Sequence, residues 1–437
     1  MMSRLDRNRA LMPMRSVKNL TVWLLVGALG GAAAIGAREF IVWFGAVIHG
    51  GVPPVEWGTL AWWRILIPLV LGGLAVGFIG KYDWELISGA GLDDTLQCYH
   101  RHGARQRPLD TPAKLTASLV GLGCGISGGL MGPMTYVGMG VGGWIGRAFR
   151  SDTDGVRTAG LCGTAAALTA ILGAPLGAAI FTCEVLFLEH FEYRRFFPVL
   201  IAALTAHLLT RLTGFYKPIF SFNPAGTPTF SPGLVGSVWM VIAVGLAVAA
   251  GFFYLYRLLE RLRESSGVPR WLSPGLGALA GALLVVMAAP EAAGRVLSVG
   301  LTTIRTVSVS EPVPWTDALV LTALKAALVA LAVGSGASVG LLAPALMLGS
   351  LVGAGVADLF PVQQTILVAT GITVVLVTLT NSPVGTTVMM LEIFGPEVLI
   401  PVTLAGLVAN LASRRLVIYR DVLPWRSEVR VVEKGGD

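Results

Sequence analysis

Apolar residues run along this chain in long blocks rather than in the alternating pattern of a half-buried strand. The blocks cover 20–37, 60–80, 113–146, 156–188, 196–210, 234–256, 274–289, 316–334, 339–357, 363–380 and 396–412. A helix rises about 1.5 Å per residue and a bilayer core is about 30 Å thick, so about 20 apolar residues make one crossing. Several blocks reach that length. The stretch 383–394 is too short and reads as a half-helix or re-entrant piece. The pattern predicts an all-α polytopic membrane protein.

Within the blocks the chain repeats itself. Lys114–Gly142 (KLTASLVGLGCGISGGLMGPMTYVGMGVG) aligns without gaps on Lys325–Gly353 (KAALVALAVGSGASVGLLAPALMLGSLVG). Lys114 falls on Lys325, Ser127 on Ser338, Gly129 on Gly340, Leu130 on Leu341 and Pro133 on Pro344. Farther on, Ala174-Pro175-Leu176-Gly177 with Glu184 matches Ser382-Pro383-Val384-Gly385 with Glu392 at nearly the same spacing. Glycines match by chance in a glycine-rich chain; lysine, serine, proline and glutamate at one spacing do not. The chain therefore divides into a first repeat, 20–215, and a second, 234–420. A Pro/Gly/aromatic linker at 216–233 joins them, with a segment 1–19 before and a tail 421–437 after.

The repeated element has a chemical meaning. Proline suits the first turn of a helix, and glycines before it allow tight turns and close backbone approach. GLMGP (129–133) and GLLAP (340–344) thus read as helix N-termini that start inside the membrane. A helix N-terminus presents unpaired N–H groups and about half a positive charge, which attracts anions. Repeat proteins place such broken helices at the membrane midplane. Taken singly, either motif could be a packing element; their duplication favours an anion held between two helix starts.

Composition and charge narrow the picture. The chain is 54% hydrophobic and 13% charged with a mean hydropathy of +0.73, against about 25% charged in soluble domains. The net charge of +7 includes Arg4, Arg7, Arg9, Arg15 and Lys18 before the first block, and Arg414, Arg415, Arg420 and Arg426 after the last. Basic flanks stay on the cytoplasmic side, so both termini are expected there, and topology rather than nucleic acid explains the charge. The first block is too long for a signal-peptide core. Cys98, Cys124, Cys162 and Cys183 have no CxxC spacing, which supports neither a disulfide framework nor a metal site. No cofactor is expected.

At this point the sequence resembles the CLC family of chloride channels and proton/chloride antiporters. G-[KR]-E-G-P resembles Gly129-Leu130-Met131-Gly132-Pro133, and G-x-F-x-P resembles Gly340-Leu341-Leu342-Ala343-Pro344. The G-S-G-I-P loop is matched by Gly89-Ala90-Gly91-Leu92-Asp93, and a late tyrosine by Ile418-Tyr419. NAPLAG…E is similar to Gly173–Ala178 with Glu184. The resemblance implies a fold of two inverted repeats with tilted and broken helices, a homodimer, and one pore per protomer. It implies a chloride ion as ligand, met by Leu341, Leu342 and Tyr419 at the centre, beside Ala90, and by Gly132 and Pro133 farther out. It places the chain in the inner membrane of a prokaryote.

The departures are chemical. The family's gating glutamate falls on Met131, and the inner proton-transfer glutamate of the antiporters on Val185. A thioether and an isopropyl group carry no ionisable proton. Passive, proton-uncoupled conduction of chloride, bromide or nitrate is therefore expected, with Met131 as an apolar gate. Coupled exchange through other carboxylates, or a non-conducting relative plugged by Met131, are the alternatives. Ala90 replaces a hydroxyl donor, unless the loop shifts to place Ser88 there. Glu184 and Glu392 cost about 2.5–3.5 kcal/mol each in an apolar run; their symmetry points to structure, such as bonds to loop amides. Lys114 and Lys325 either raise the pore potential or pair with carboxylates. Ser127 with His190 or His207 would be an intramembrane hydrolase, but the motif is not GxSxG, so no enzyme is expected.

Overall fold

The computed structural model describes residues 4–215, 231–308, 313–360 and 362–413. The described residues are helical throughout apart from short loops and one isolated bridge. Seven of these helices are long and apolar enough to cross a membrane, or up to eight if one bent pair counts as a span. That pair, Ser273–Ala288 and Pro290–Val296, turns by 119° at Pro290, where the ring removes a backbone donor. The basic segment before residue 20 is not separate from the first span. A single helix runs Arg4–Ile48.

The blocks that carry the repeated motifs break where the motifs predict. The 113–146 block becomes two helices, Asp110–Gly123 and Met131–Ala148, and the second-repeat equivalents are Trp315–Gly334 and Leu342–Leu359. The turns between them use Gly125 at φ +102° and its match Gly336 at φ +93°, where a side chain would be strained. The block 156–188 also divides. Thr153–Leu172 ends on left-handed Gly173, and Pro175–Glu184 follows; Gln364–Thr380 ends on left-handed Asn381, and Pro383–Phe394 follows.

Small residues let the matched helices touch in the same way in each half. A Cβ on Gly138 would lie 2.3 Å from the Gly163 carbonyl, and one on its match Gly349 lies 2.5 Å from the Gly371 carbonyl. Without a hydrophobic force between helices in lipid, such close backbone packing holds a bundle together. Pro175–Glu184 and Pro383–Phe394 cross each other about the axis relating the halves. A Cβ on Gly177 would strike Met389 at 2.4 Å, and one on its match Gly385 would strike Phe181 at 2.5 Å.

Candidate functional site

The two predicted helix starts meet. Gly129 donates to the Gly340 carbonyl and Gly340 to the Gly129 carbonyl, each at 2.7 Å, forming an antiparallel bridge between matched positions. Directly after it begin the helices of Met131 and Leu342, which are themselves matched. Their first intrahelical bonds are Met134 N–H to Leu130 and Ala345 N–H to Leu341. The amides of Met131, Gly132, Leu342 and Ala343 precede those bonds, so the two positive dipole ends lie at one place.

The Gly89–Gly91 loop closes on the same point. A Cβ on Gly132 would lie 2.1 Å from the Ala90 carbonyl, and one on Gly91, at φ +88°, only 2.2 Å from the Gly132 carbonyl carbon. Thr95 and Thr135 hydroxyls, 2.8 Å apart, tie the two helices together one turn farther on. Ala90 is thus the loop residue against Gly132, whereas Ser88 ends the preceding short helix and sits near Gly336. Pro133 packs against Gly340. Tyr419 lies outside the described residues.

Asp94 and Lys114 explain how this loop tolerates charge. Lys114 is fully buried, donates to the carbonyls of Leu86 and Gly89 at 2.6 Å each, and lies 2.8 Å from the Asp94 carboxylate. Asp94 also accepts from the Gly91 amide at 3.2 Å, capping the Leu92–His102 helix. Its negative charge is therefore spent on a cap and a cation. Lys325, the match of Lys114, is equally buried and donates to Val296 and Ser298 carbonyls at 3.0 Å, bracing the equivalent loop of the second half.

Met131 is the boundary between two spaces. On one side it lines a cavity of about 250 Å³ together with Arg38, Glu39, Ser298 and Arg305. On the other it joins Leu172, Phe181, Leu342, Leu376 and Met389 around a seam of only about 10 Å³, with no polar group among its lining side chains. A water needs about 10–15 Å³ and polar partners, so that seam is dry. Val185, at the end of the Pro175–Glu184 helix, is buried among apolar neighbours. Sequence reasoning did not single out Arg38, Glu39 or Arg305. The available signal was an Arg-Glu dipeptide, 38–39, the only charged residues between 20 and 48 of the Arg4–Ile48 helix.

The carboxylates in the apolar runs bond to backbone amides of the opposite half, as their symmetry suggested. Glu184 accepts from the amides of Val384 and Gly385 at 3.0 and 2.6 Å; Glu392 accepts from those of Leu176 and Gly177 at the same distances. The hydrolase alternative finds no support in geometry. The Ser127 hydroxyl donates to the Val296 carbonyl at 2.8 Å, His190 stacks edge-on against Phe187, and His207 lies within 3.4 Å of Arg211.

The profile of the voltage gated chloride channel family matches residues 72–414. The chain belongs to that family. Among curated relatives, a ClcB-like chloride channel protein of Ralstonia nicotianae is 29% identical over 408 residues, covering 87% of this chain and 90% of the relative. Two solved structures share the fold. A CLC-type fluoride/proton antiporter superposes with a TM-score of 0.80 at 20% identity, covering 97% of this chain and all of that one. A slow cyanobacterial Cl⁻/H⁺ antiporter gives 0.76 at 19% identity, covering 96% and 99%. The expected fold of inverted repeats and broken helices is the CLC fold, and CLC proteins carry anions through membranes.

Proposed function

We propose that this CLC protein conducts small inorganic anions, chloride first and bromide or nitrate with it, without moving protons. The observation that carries the reading is Met131. It stands where two helix N-termini converge, between the vestibule and the dry seam, and neither it nor Val185 can bind a proton. Anions would be held by the amides around Gly132, Pro133, Leu341 and Leu342, beside Ala90, with the Tyr419 hydroxyl. Conduction requires Met131 to swing aside, because the seam beyond it is too small for an ion.

Orientation follows from the basic flanks, which favour cytoplasmic termini in a prokaryotic inner membrane. The Arg4–Ile48 helix would then carry Arg38 and Glu39 away from the cytoplasm, and the Met131 vestibule would open outward. The homodimer with one pore per protomer follows from the family likeness, and exposed apolar side chains such as Leu204, Leu208, Leu407 and Leu411 are available to such an interface.

Coupled exchange is the second reading, favoured by one observation: Glu184 also lines a cavity of about 580 Å³. Vesicles with an outward chloride gradient separate the readings. Anion efflux at background proton movement is expected. Uphill proton uptake in proportion to chloride would overturn the uncoupled reading, and no flux at all would leave a non-conducting relative.

A further inference from the structure

One wall of the vestibule that ends at Met131 is anchored by a stacked pair of rings. Pro53, Pro54 and Val55 line it, on the strap that joins the Arg4–Ile48 helix to the short helical turn Pro54–Thr59. The two prolines have no N–H, so they donate no backbone bonds from that wall. The strap rests on Gly294, where an added Cβ would lie 2.5 Å from the Val55 carbonyl and 2.9 Å from that of Pro54. Its anchor is Trp57, which is 1% exposed and donates from Nε1 to the Val52 carbonyl at 3.2 Å. The indole fills the space between Gly45 and Gly125, where added Cβ atoms would come within 3.2 and 3.3 Å of the ring. Gly125 belongs to the turn that leads into the Met131 helix.

His49 is stacked on Trp57, with 3.9 Å between ring centroids and 26° between planes, and is itself buried. Its Nδ1 lies 2.8 Å from the Gly45 carbonyl, which only accepts, so Nδ1 carries the proton and Nε2 is bare. Nε2 has no hydrogen-bond partner among the described residues. A proton added there would create a charged, buried N–H with no acceptor. Arg64 opposes it further: the guanidinium donates to the His49 backbone carbonyl at 3.3 Å, and its charge acts on the ring. Burial pulls the imidazole pKa below its ordinary value, the Gly45 bond resists that, and Arg64 adds to it. The other charged groups of the surrounding elements are engaged or exposed. Glu39 bonds Arg38, Asp110 bonds Arg107 and Asp94 pairs with Lys114, while Glu56, Glu291 and Arg295 are exposed.

We propose that the stack of His49 on Trp57 is an acid-released latch on the vestibule. With a neutral imidazole the stack holds Trp57 and, through it, the 52–59 strap against the body of the protein. A protonated imidazole leaves the stack, and the wall at 53–55 swings away from the vestibule. The latched state binds fewer protons than the released one, so acid favours release. A released imidazole titrates near the ordinary value of about 6.5, so the latch holds above that pH and is lost as the pH falls below it. Release should gain up to about tenfold between about pH 7.5 and about pH 5.5. The purpose of the latch, widening the mouth for anions, rests on the anion-conduction reading; its existence does not.

Backbone hydrogen exchange, followed by peptide mass spectrometry, reads the latch without any flux. The full-length protein in detergent is compared with His49→Phe, which keeps a ring on Trp57 but cannot titrate, at about pH 7.5 and about pH 5.5. Comparing the two proteins at one pH removes the intrinsic pH dependence of exchange. Peptides covering 52–59 are expected to exchange alike at the higher pH, and severalfold faster in the wild type at the lower. Peptides from the Thr153–Leu172 helix should exchange alike throughout. His49→Ala, with no ring to stack, should exchange fast over 52–59 at both. If His49→Phe fails to fold, His49→Gln takes its place, and the ratio of wild type to variant should still rise severalfold on acidification. Exchange of the His49 ring C2 hydrogen needs no variant and should show a midpoint below about 6.5. Equal exchange over 52–59 in the wild type and His49→Phe at the lower pH overturns the latch, as does a His49 midpoint at or above the ordinary value. Failure of the latch would leave the conduction reading standing, and acid release of the strap with no anion flux would do the reverse.

Discussion

Glu184 and Glu392 each cap the helix start of the other half: Glu184 holds the amides of Val384 and Gly385, and Glu392 holds those of Leu176 and Gly177. Each carboxylate thus offsets its own burial by accepting two N–H groups at a positive dipole end. A bond to a charged group contributes about 1.5–3 kcal/mol. Glu184→Ala and Glu392→Ala are expected to lower the thermal midpoint in detergent by similar amounts and to leave proton movement at background. A stable Glu184→Ala protein that changes only its proton flux would show that this carboxylate is a proton carrier after all.

Met131 separates the vestibule from the seam, so its bulk should limit flux. Met131→Ala is expected to raise chloride efflux from vesicles without raising proton movement. Met131→Glu places a carboxylate where the anion passes, and only its protonated form leaves the site. Flux should then be smaller and should rise as the external pH falls. Coupled exchange is not expected to return, because Val185 still interrupts the inner end. Unchanged flux in the alanine variant, with no pH dependence in the glutamate one, would remove Met131 from the path.

At Ala90 the loop against Gly132 offers a methyl group and its backbone, which recognise charge more than shape. Chloride, bromide and nitrate are expected to differ by only about 1–2 kcal/mol in relative flux, near the worth of one hydrogen bond to a charged group. Ala90→Ser should sharpen the preference for chloride. Exclusion of nitrate by several hundredfold in the wild type would mean that another residue sets selectivity.

Lys114 and Lys325 match in sequence but differ in what they neutralise. Lys114 pairs with the Asp94 carboxylate, whereas Lys325 donates to the Val296 and Ser298 carbonyls. Lys114→Met takes the cation away from that buried carboxylate, at a cost of about 3–5 kcal/mol. Lys325→Met leaves two carbonyls unsatisfied, about 1–3 kcal/mol for each group at most. The first variant should therefore unfold at the lower temperature. Adding Asp94→Asn should recover part of the loss in Lys114→Met, a coupling that a double-mutant cycle measures. No recovery would mean that the lysine acts through the Leu86 and Gly89 carbonyls alone.

The sequence by itself determined where the helices span, where they break, and that two halves carry the same broken element. Those features are local: the length of an apolar block, a proline at a first turn and a glycine at positive φ are settled within a few residues. It also determined that no proton carrier stands at Met131 or Val185, since side-chain identity alone decides that. Only the tertiary structure decided which starts meet. Gly129 finds Gly340, and Glu184 finds the amides of Val384 and Gly385, because the axis relating the halves brings matched positions face to face, a relation no local pattern encodes. The same packing placed Arg38 and Arg305 on one wall although they lie on helices far apart in the chain. It also reduced the space behind Met131 to a dry seam of about 10 Å³, because that volume depends on how eight side chains from six helices interdigitate.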